Sequence, residues 1–183
     1  MINDKKMKLV KSENGINWYL FKPSFFSLYY NDKSFKHKEE PPHRFSLSHK
    51  LHMIWYMMAI QGGYSILYLE QNGEILSYIV FVKANNWIIK NCEKNDYYTV
   101  FLWTYPKHRG KGIATLMSKV MLQDLELNYN HFYKTISKNN ISSIRVAEKC
   151  GFKLVSDCVK TGWLHTIQRV PDGTQYLYTY STK

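Results

Sequence analysis

Residues 105–114 read "YPKHRGKGIA". Just before them, "YYTVFLWTY" at 97–105 is an aromatic and β-branched run stopped by Pro106, which has no N–H to extend a ladder. Just after, from Gly112, the residues Ile113, Leu116, Met117, Val120 and Met121 recur at helical spacing and predict a helix to about Leu127. The stretch is therefore a strand-to-helix turn. A helix N-terminus offers unpaired N–H groups and the positive end of the macrodipole, so it attracts anions where the backbone can come close. Gly110 and Gly112 remove the side chains that would hold a phosphate away, and Arg109 and Lys111 add charge that can reach its outer oxygens.

Three nucleotide loops compete for this turn. A Walker A loop needs Ser or Thr after its Gly-Lys, but Lys111 is followed by Gly112 and Ile113. A dinucleotide G-x-G-x-x-G needs glycine at 115, where Thr115 stands, and a βαβ start that is missing here. What remains is R-x-x-G-x-A, filled by Arg109, Gly112 and Ala114.

Outward from the turn, "YSILYLEQNGEILSYIVFVK" at 64–83 is two β-rich runs around Asn72 and Gly73, the pair that accepts the positive φ values of a tight hairpin. Leu67 and Leu69 on one face and Ile66 and Tyr68 on the other predict a sheet covered on both sides. Before it, "FSLSHKLHMIWYMMAIQ" places Leu47, Leu51, Ile54 and Met58 at helical spacing up to Gly62 and Gly63. "KEEPPHR" at 38–44 reads as a loop between two N-terminal helices. After the turn come a strand at "HFYKTIS", a helix from about Asn140 to Lys149, a strand at "FKLVSDC", and a C-terminal hairpin turning at Pro171, Asp172 and Gly173.

The 183 residues suit one domain, with no repeat or linker to divide it. Cys92, Cys150 and Cys158 have no CxxC spacing and leave an odd thiol, which argues against a disulfide framework or a zinc site and for a reducing cytoplasm. "MINDKKMKLVKSENG" has no apolar core, and "MIWYMMAI" at 53–60 is too short to cross a bilayer, so no membrane partner is expected. Of the formal charge of +11, residues 97–153 carry nine Lys or Arg against Asp124, Glu126 and Glu148. Such a field favours a phosphorylated cofactor, an anionic substrate or RNA, although a lysine-rich solubilising surface has the same composition.

A second motif joins the first. "NISSIRVAEKCGF" at 140–152 can be capped by Asn139 or Asn140 and stopped by Gly151, with Phe152 packing back on the helix. The two blocks, in this order and about 30 residues apart, resemble the GNAT family of acetyl-CoA-dependent N-acetyltransferases, the second in its RimJ/RimL-like form. The resemblance covers roughly residues 64–160. It implies an α+β fold with a mixed, mostly antiparallel sheet of about six or seven strands, flanked by helices on both faces and splayed between its fourth and fifth strands. Residues 1–63 would supply one strand and two helices, 64–160 the CoA-binding core, and 161–183 the closing hairpin.

Carried over, main-chain groups of Leu102, Trp103 and Thr104 would pair with the pantetheine amides, one N–H there polarising the thioester carbonyl. Backbone amides of Gly110, Lys111, Gly112, Ile113, Ala114 and Thr115 would cradle the pyrophosphate beside Arg109, and Asn140 would bond the pantetheine arm. Many members protonate the departing sulfur with a tyrosine where this chain has Ala147. The RimL-like branch uses a serine, here Ser143, one turn earlier on the same helix face. No carboxylate stands at that branch's base position near Gly162 and Trp163, which leaves His165 or a water chain. His108 is expected to face solvent or a CoA phosphate.

The function implied is acetyl transfer to a primary amine in a ternary complex, by a monomer or homodimer that needs no metal. The acceptor is a protein N-terminus, an amino sugar or another small amine. A CoA-binding module without catalysis and a tRNA-directed acetylating toxin are the alternatives.

Overall fold

The computed structural model describes residues 7–30 and 46–181. Nine strands are formed among them: β1 (Met7–Glu13), β2 (Ile16–Phe21), β3 (Tyr64–Gln71), β4 (Glu74–Lys83), β5 (Tyr97–Thr104), β6 (His131–Ser137), β7 (Lys153–Thr161), β8 (Thr166–Arg169) and β9 (Gln175–Ser181). Three helices accompany them: α1 (Leu47–Ala59), α2 (Ile113–Gln123) and α3 (Ile141–Lys149). The strands lie in the order β1-β2-β3-β4-β5-β6-β9-β7-β8, an open mixed sheet of nine strands where six or seven were expected.

The strand beyond the one expected in residues 1–63 has a local cause. β1 and β2 form an antiparallel hairpin whose turn is Asn14 and Gly15, at φ 51° and 75°. That is the same Asn-Gly signal that closes β3 onto β4, where Asn72 and Gly73 have φ 52° and 79°. β8, four residues at Thr166–Arg169, is the first arm of the C-terminal hairpin that the sequence predicts.

The described residues pack as two compact units, one within 7–81 and 101–126, the other within 82–100 and 127–181. In the first, β3 is buried along both faces: Ile66, Leu67, Tyr68 and Leu69 are all at most 1% exposed. Glu70 is buried too, and its carboxylate accepts from Asn17 Nδ2 at 2.8 Å and from the Gly73 N–H at 2.5 Å, which fixes the hairpin turn. α1 forms where expected but with a different face inward. His52, Met53, Tyr56 and the following Ile60 are buried, whereas Leu47, Leu51 and Met58 are exposed. The helix is apolar on most of its circumference, so the period predicts a helix without predicting its phase.

α2 buries Met117, Val120 and Met121 as expected and ends at Gln123, four residues short of Leu127. The loop 38–44 lies outside the described residues, and Lys22–Tyr30 holds no helix, so one N-terminal helix is described where two were expected.

In the second unit β5 and β6 pair in parallel over Tyr97–Thr99 and Phe132–Lys134. The expected C-terminal hairpin is not formed. β8 pairs with β7, and β9 runs antiparallel to both β6 and β7, inserted between them. Gly173 permits this: a Cβ there would stand 2.4 Å from the Cys158 carbonyl oxygen, so only a bare α-carbon crosses the β7 backbone so closely.

Candidate active site

The turn between β5 and α2 is built from its proline outward. Pro106–His108 form one 3-10 turn, closed by the His108 N–H on the Tyr105 carbonyl at 2.9 Å. Gly110 and Gly112 both stand at φ 76°, in the left-handed region that a side chain resists. Gly112 is the N-cap of α2, and its carbonyl accepts the Leu116 N–H at 3.0 Å. Ser46 caps α1 through the His49 N–H and Asn140 caps α3 through the Ser143 N–H, but α2 has no side-chain cap. Its first-turn amides, beginning with Ile113 and Ala114, therefore face a position where a glycine offers no acceptor. A Cβ at Gly110 or Gly112 would meet nothing within 4 Å, so the room beside both α-carbons is open to an incoming group. That is the donor set and the clearance a pyrophosphate requires.

The cations of the turn are divided. Lys107 forms an ion pair with Glu74 on β4, which holds the Glu74 carboxyl below its usual range. His108 does not face solvent: its side chain is 16% exposed, with Nε2 3.7 Å from Glu74 Oε1. Arg109 is turned back on β5, donating from Nε to the Thr104 carbonyl at 3.0 Å, with its guanidinium 4.7 Å from the Trp103 ring centroid. Lys111 is exposed at the helix start.

On β5 the Trp103 carbonyl accepts from Ser77 Oγ at 2.7 Å, and Ser77 Oγ also lies 3.1 Å from Thr104 Oγ1. The main-chain carbonyls of Trp103 and Thr104 thus each hold one donor from the protein. Leu102 and Trp103 are half-buried and Thr104 is buried.

In the second unit, Asn140 Oδ1 accepts from the Ser143 N–H at 3.1 Å and from Ser142 Oγ at 2.9 Å, so its oxygen is the helix cap. Ser143 is half-buried and Ala147, one turn on, is fully buried. α3 ends as a Schellman motif: Phe152 N–H to Ala147 carbonyl at 3.0 Å, Gly151 N–H to Glu148 carbonyl at 2.9 Å, and Gly151 at φ 83°. His165 is exposed in the turn between β7 and β8, at φ 55°, rather than in a strand.

Two charged groups of this unit escaped sequence reading. Lys134 is buried, with Nζ 4.5 Å from the Phe152 ring centroid, and burial pushes its amine down to about 8. Asp96 is fully buried, with Oδ1 3.0 Å from His131 Nδ1 and Oδ2 accepting the Glu93 N–H at 2.7 Å. Both its oxygens are engaged, so it ties the loop before β5 to β6.

The family model for the GNAT acetyltransferases matches residues 23–152, which include the turn, β5 and α3. The chain belongs to the GNAT family. Among solved structures, smu.2055 from Streptococcus mutans UA159 is similar at TM-score 0.54 and 15% identity, over 80% of this chain and 84% of that one. An N-acetyltransferase from Staphylococcus aureus Mu50 is similar at TM-score 0.51 and 16% identity, over 75% and 78%. The aminoglycoside acetyltransferase AAC(6')-Ib, solved in complex with coenzyme A, is similar at TM-score 0.50 and 19% identity. That alignment covers 65% of this chain and 66% of AAC(6')-Ib, so the chain spans about two thirds of that enzyme's length. At these identities the likeness is one of fold. No curated protein matches the chain in sequence. No described helix of this GNAT protein is long and apolar enough to cross a membrane.

Proposed function

We propose that the protein transfers an acetyl group from acetyl-CoA to a primary amine by direct attack while both are bound, in the cytoplasm and without a metal. The observation that carries this reading is the N-terminus of α2, uncapped by any side chain and opened by two left-handed glycines within the matched family segment. Acetyl-CoA supplies an activated thioester. The amides from Gly110 to Thr115 hold its pyrophosphate, with exposed Lys111 adding charge. Main-chain groups at Leu102, Trp103 and Thr104 pair with the pantetheine amides, and one N–H there stabilises the carbonyl oxygen as negative charge develops on it.

Asn140 bonds the pantetheine arm through the amide nitrogen that its capping role leaves over. As the neutral amine nitrogen bonds to the carbonyl carbon and the C–S bond breaks, Ser143 Oγ passes a proton to the departing sulfur and recovers one from solvent, to which the nitrogen releases its surplus proton. The RimJ/RimL-like reading of residues 140–152 favours a protein N-terminal amine as acceptor, alongside amino sugars and other small amines. A CoA-binding module without catalysis is the second reading, favoured by buried Ala147 at the place of the family's common tyrosine.

Calorimetric titration with CoA and single-turnover acetylation of an amine panel separate the two readings. CoA binding with no acetyl transfer to any amine favours the module. Gly112→Asp puts a carboxylate against the pyrophosphate while keeping a residue type that tolerates positive φ. It is expected to weaken CoA binding by at least about 100-fold, roughly 3 kcal/mol, with the melting transition retained. Unchanged CoA affinity would overturn the pyrophosphate assignment.

A further inference from the structure

We infer that Tyr29 and His49 form the proton relay that deprotonates the acceptor amine, an assignment that rests on the acetyl transfer proposed above. Residues Ser24–Tyr30 contain neither helix nor long strand, yet they are held at several points. Ser24 and Ser27 exchange main-chain hydrogen bonds at 3.0 and 2.9 Å. Two buried tyrosines of β3 clamp the segment: Tyr64 Oη donates to the Leu28 carbonyl at 2.5 Å, and Tyr68 Oη accepts the Tyr30 N–H at 3.1 Å. Ser27 Oγ donates to the Tyr29 carbonyl at 3.0 Å. Tyr29 is thereby fixed, 8% exposed, with its hydroxyl 2.7 Å from His49 Nε2 and the two rings stacked at 25°.

His49 is held from its own side. It is the third residue of α1, and its N–H donates to the capping Ser46 Oγ at 3.1 Å. A base at this place works from the neutral imidazole, with Nε2 toward the Tyr29 hydroxyl. Its edge meets Phe101 at 6.3 Å and 85°, and Tyr78 meets the same ring at 5.4 Å and 84°. Phe101 directly precedes the run Leu102–Thr104, and strand alternation puts its side chain on the same face of β5 as Trp103. The dyad therefore lies against β5 at the start of the stretch assigned to the thioester. His165, by contrast, is exposed on a hairpin turn.

The proton balance is simple. Neutral His49 carries its hydrogen on Nδ1 and accepts the Tyr29 hydroxyl proton at Nε2. When the acceptor ammonium gives a proton to Tyr29 Oη, the hydroxyl's own proton moves to Nε2. The amine becomes neutral and nucleophilic, Tyr29 is unchanged, and the positive charge sits on His49 until solvent takes the proton. Other titratable groups on the surrounding elements are Tyr64 and Tyr68 of β3, Tyr78 of β4, Tyr105 after β5, and His52 one turn along α1, whose Nδ1 lies 3.0 Å from the Ser48 carbonyl.

The test uses the full chain with His49→Gln and Tyr29→Phe, the second keeping the buried ring and deciding the case should the first fail to fold. Probes are the best alkyl primary amine of the panel and hydroxylamine, whose nitrogen is already neutral near pH 7. Each variant is expected to lose about 100-fold in kcat/KM with the alkyl amine at neutral pH while CoA affinity holds. The loss should shrink to under about ten-fold near pH 10, where the amine is neutral in solution, and likewise with hydroxylamine. A loss independent of pH and nucleophile, or no loss at all, overturns the relay and leaves the acetyl transfer standing. A wild-type chain that binds CoA and acetylates no amine overturns both.

Discussion

Lys134 lies in β6 with its Nζ 4.5 Å from the Phe152 ring centroid, and burial pushes its amine from 10.5 down to about 8. The unfolded chain therefore binds more protons than the folded one between about 8 and 10.5, and stability rises with pH across that window. The penalty is full below about 8 and gone above 10.5. Lys134→Met is expected to stabilise the protein by about 1–3 kcal/mol at neutral pH, less whatever the cation–π contact contributes. The gain should fade toward pH 10.5, as urea unfolding at the two pH values would show. Nothing in "HFYKTIS" marks this lysine as buried, because strand alternation assigns faces only once both neighbours of the strand are known. The glycines at 110 and 112 were legible as bare backbone at a helix start, and both take φ 76° there.

At the scale of the element, α3 was the most legible piece. Its cap and its left-handed stop arise within 13 residues as the sequence indicates, and the Phe152 N–H returns to the Ala147 carbonyl, while the Phe152 ring meets Tyr180 and Lys134. Asn140→Ala removes the acceptor for the Ser143 N–H and for Ser142 Oγ, and should cost about 1 kcal/mol in thermal or denaturant unfolding. CoA affinity should drop with it, whereas Asn140→Asp should restore the cap and recover the stability alone. α1 shows the opposite case. Its period was plain and its buried face was not, since Met53 and Tyr56 compete with Leu51 and Met58 for the core on equal hydrophobic terms. The first hairpin, closed by Asn14 and Gly15, was readable by the same rule as the second, but its exposed, charged outer strand lacks the apolar alternation that draws attention.

For the whole molecule, the position of β9 between β6 and β7 is the decisive feature, because it replaces an expected local hairpin with two long-range ladders. Gly173→Ala should force the loop off the Cys158 backbone and cost about 2–3 kcal/mol, read as a lower melting temperature and faster amide exchange in β9. A chain in which β9 paired with β8 would instead tolerate the methyl group. The sequence by itself determined the features that arise from short-range backbone chemistry: the glycine turn into α2, the Asn-Gly hairpin, the capped α3, and through them the family. Only the tertiary structure decided which face of α1 is buried, where β9 inserts, that Arg109 folds back on Trp103, and that Tyr29 meets His49 twenty residues away. The physical reason is range: turns and caps are closed within a few residues by φ angles and local hydrogen bonds, whereas facing and adjacency depend on which distant surfaces exclude water together.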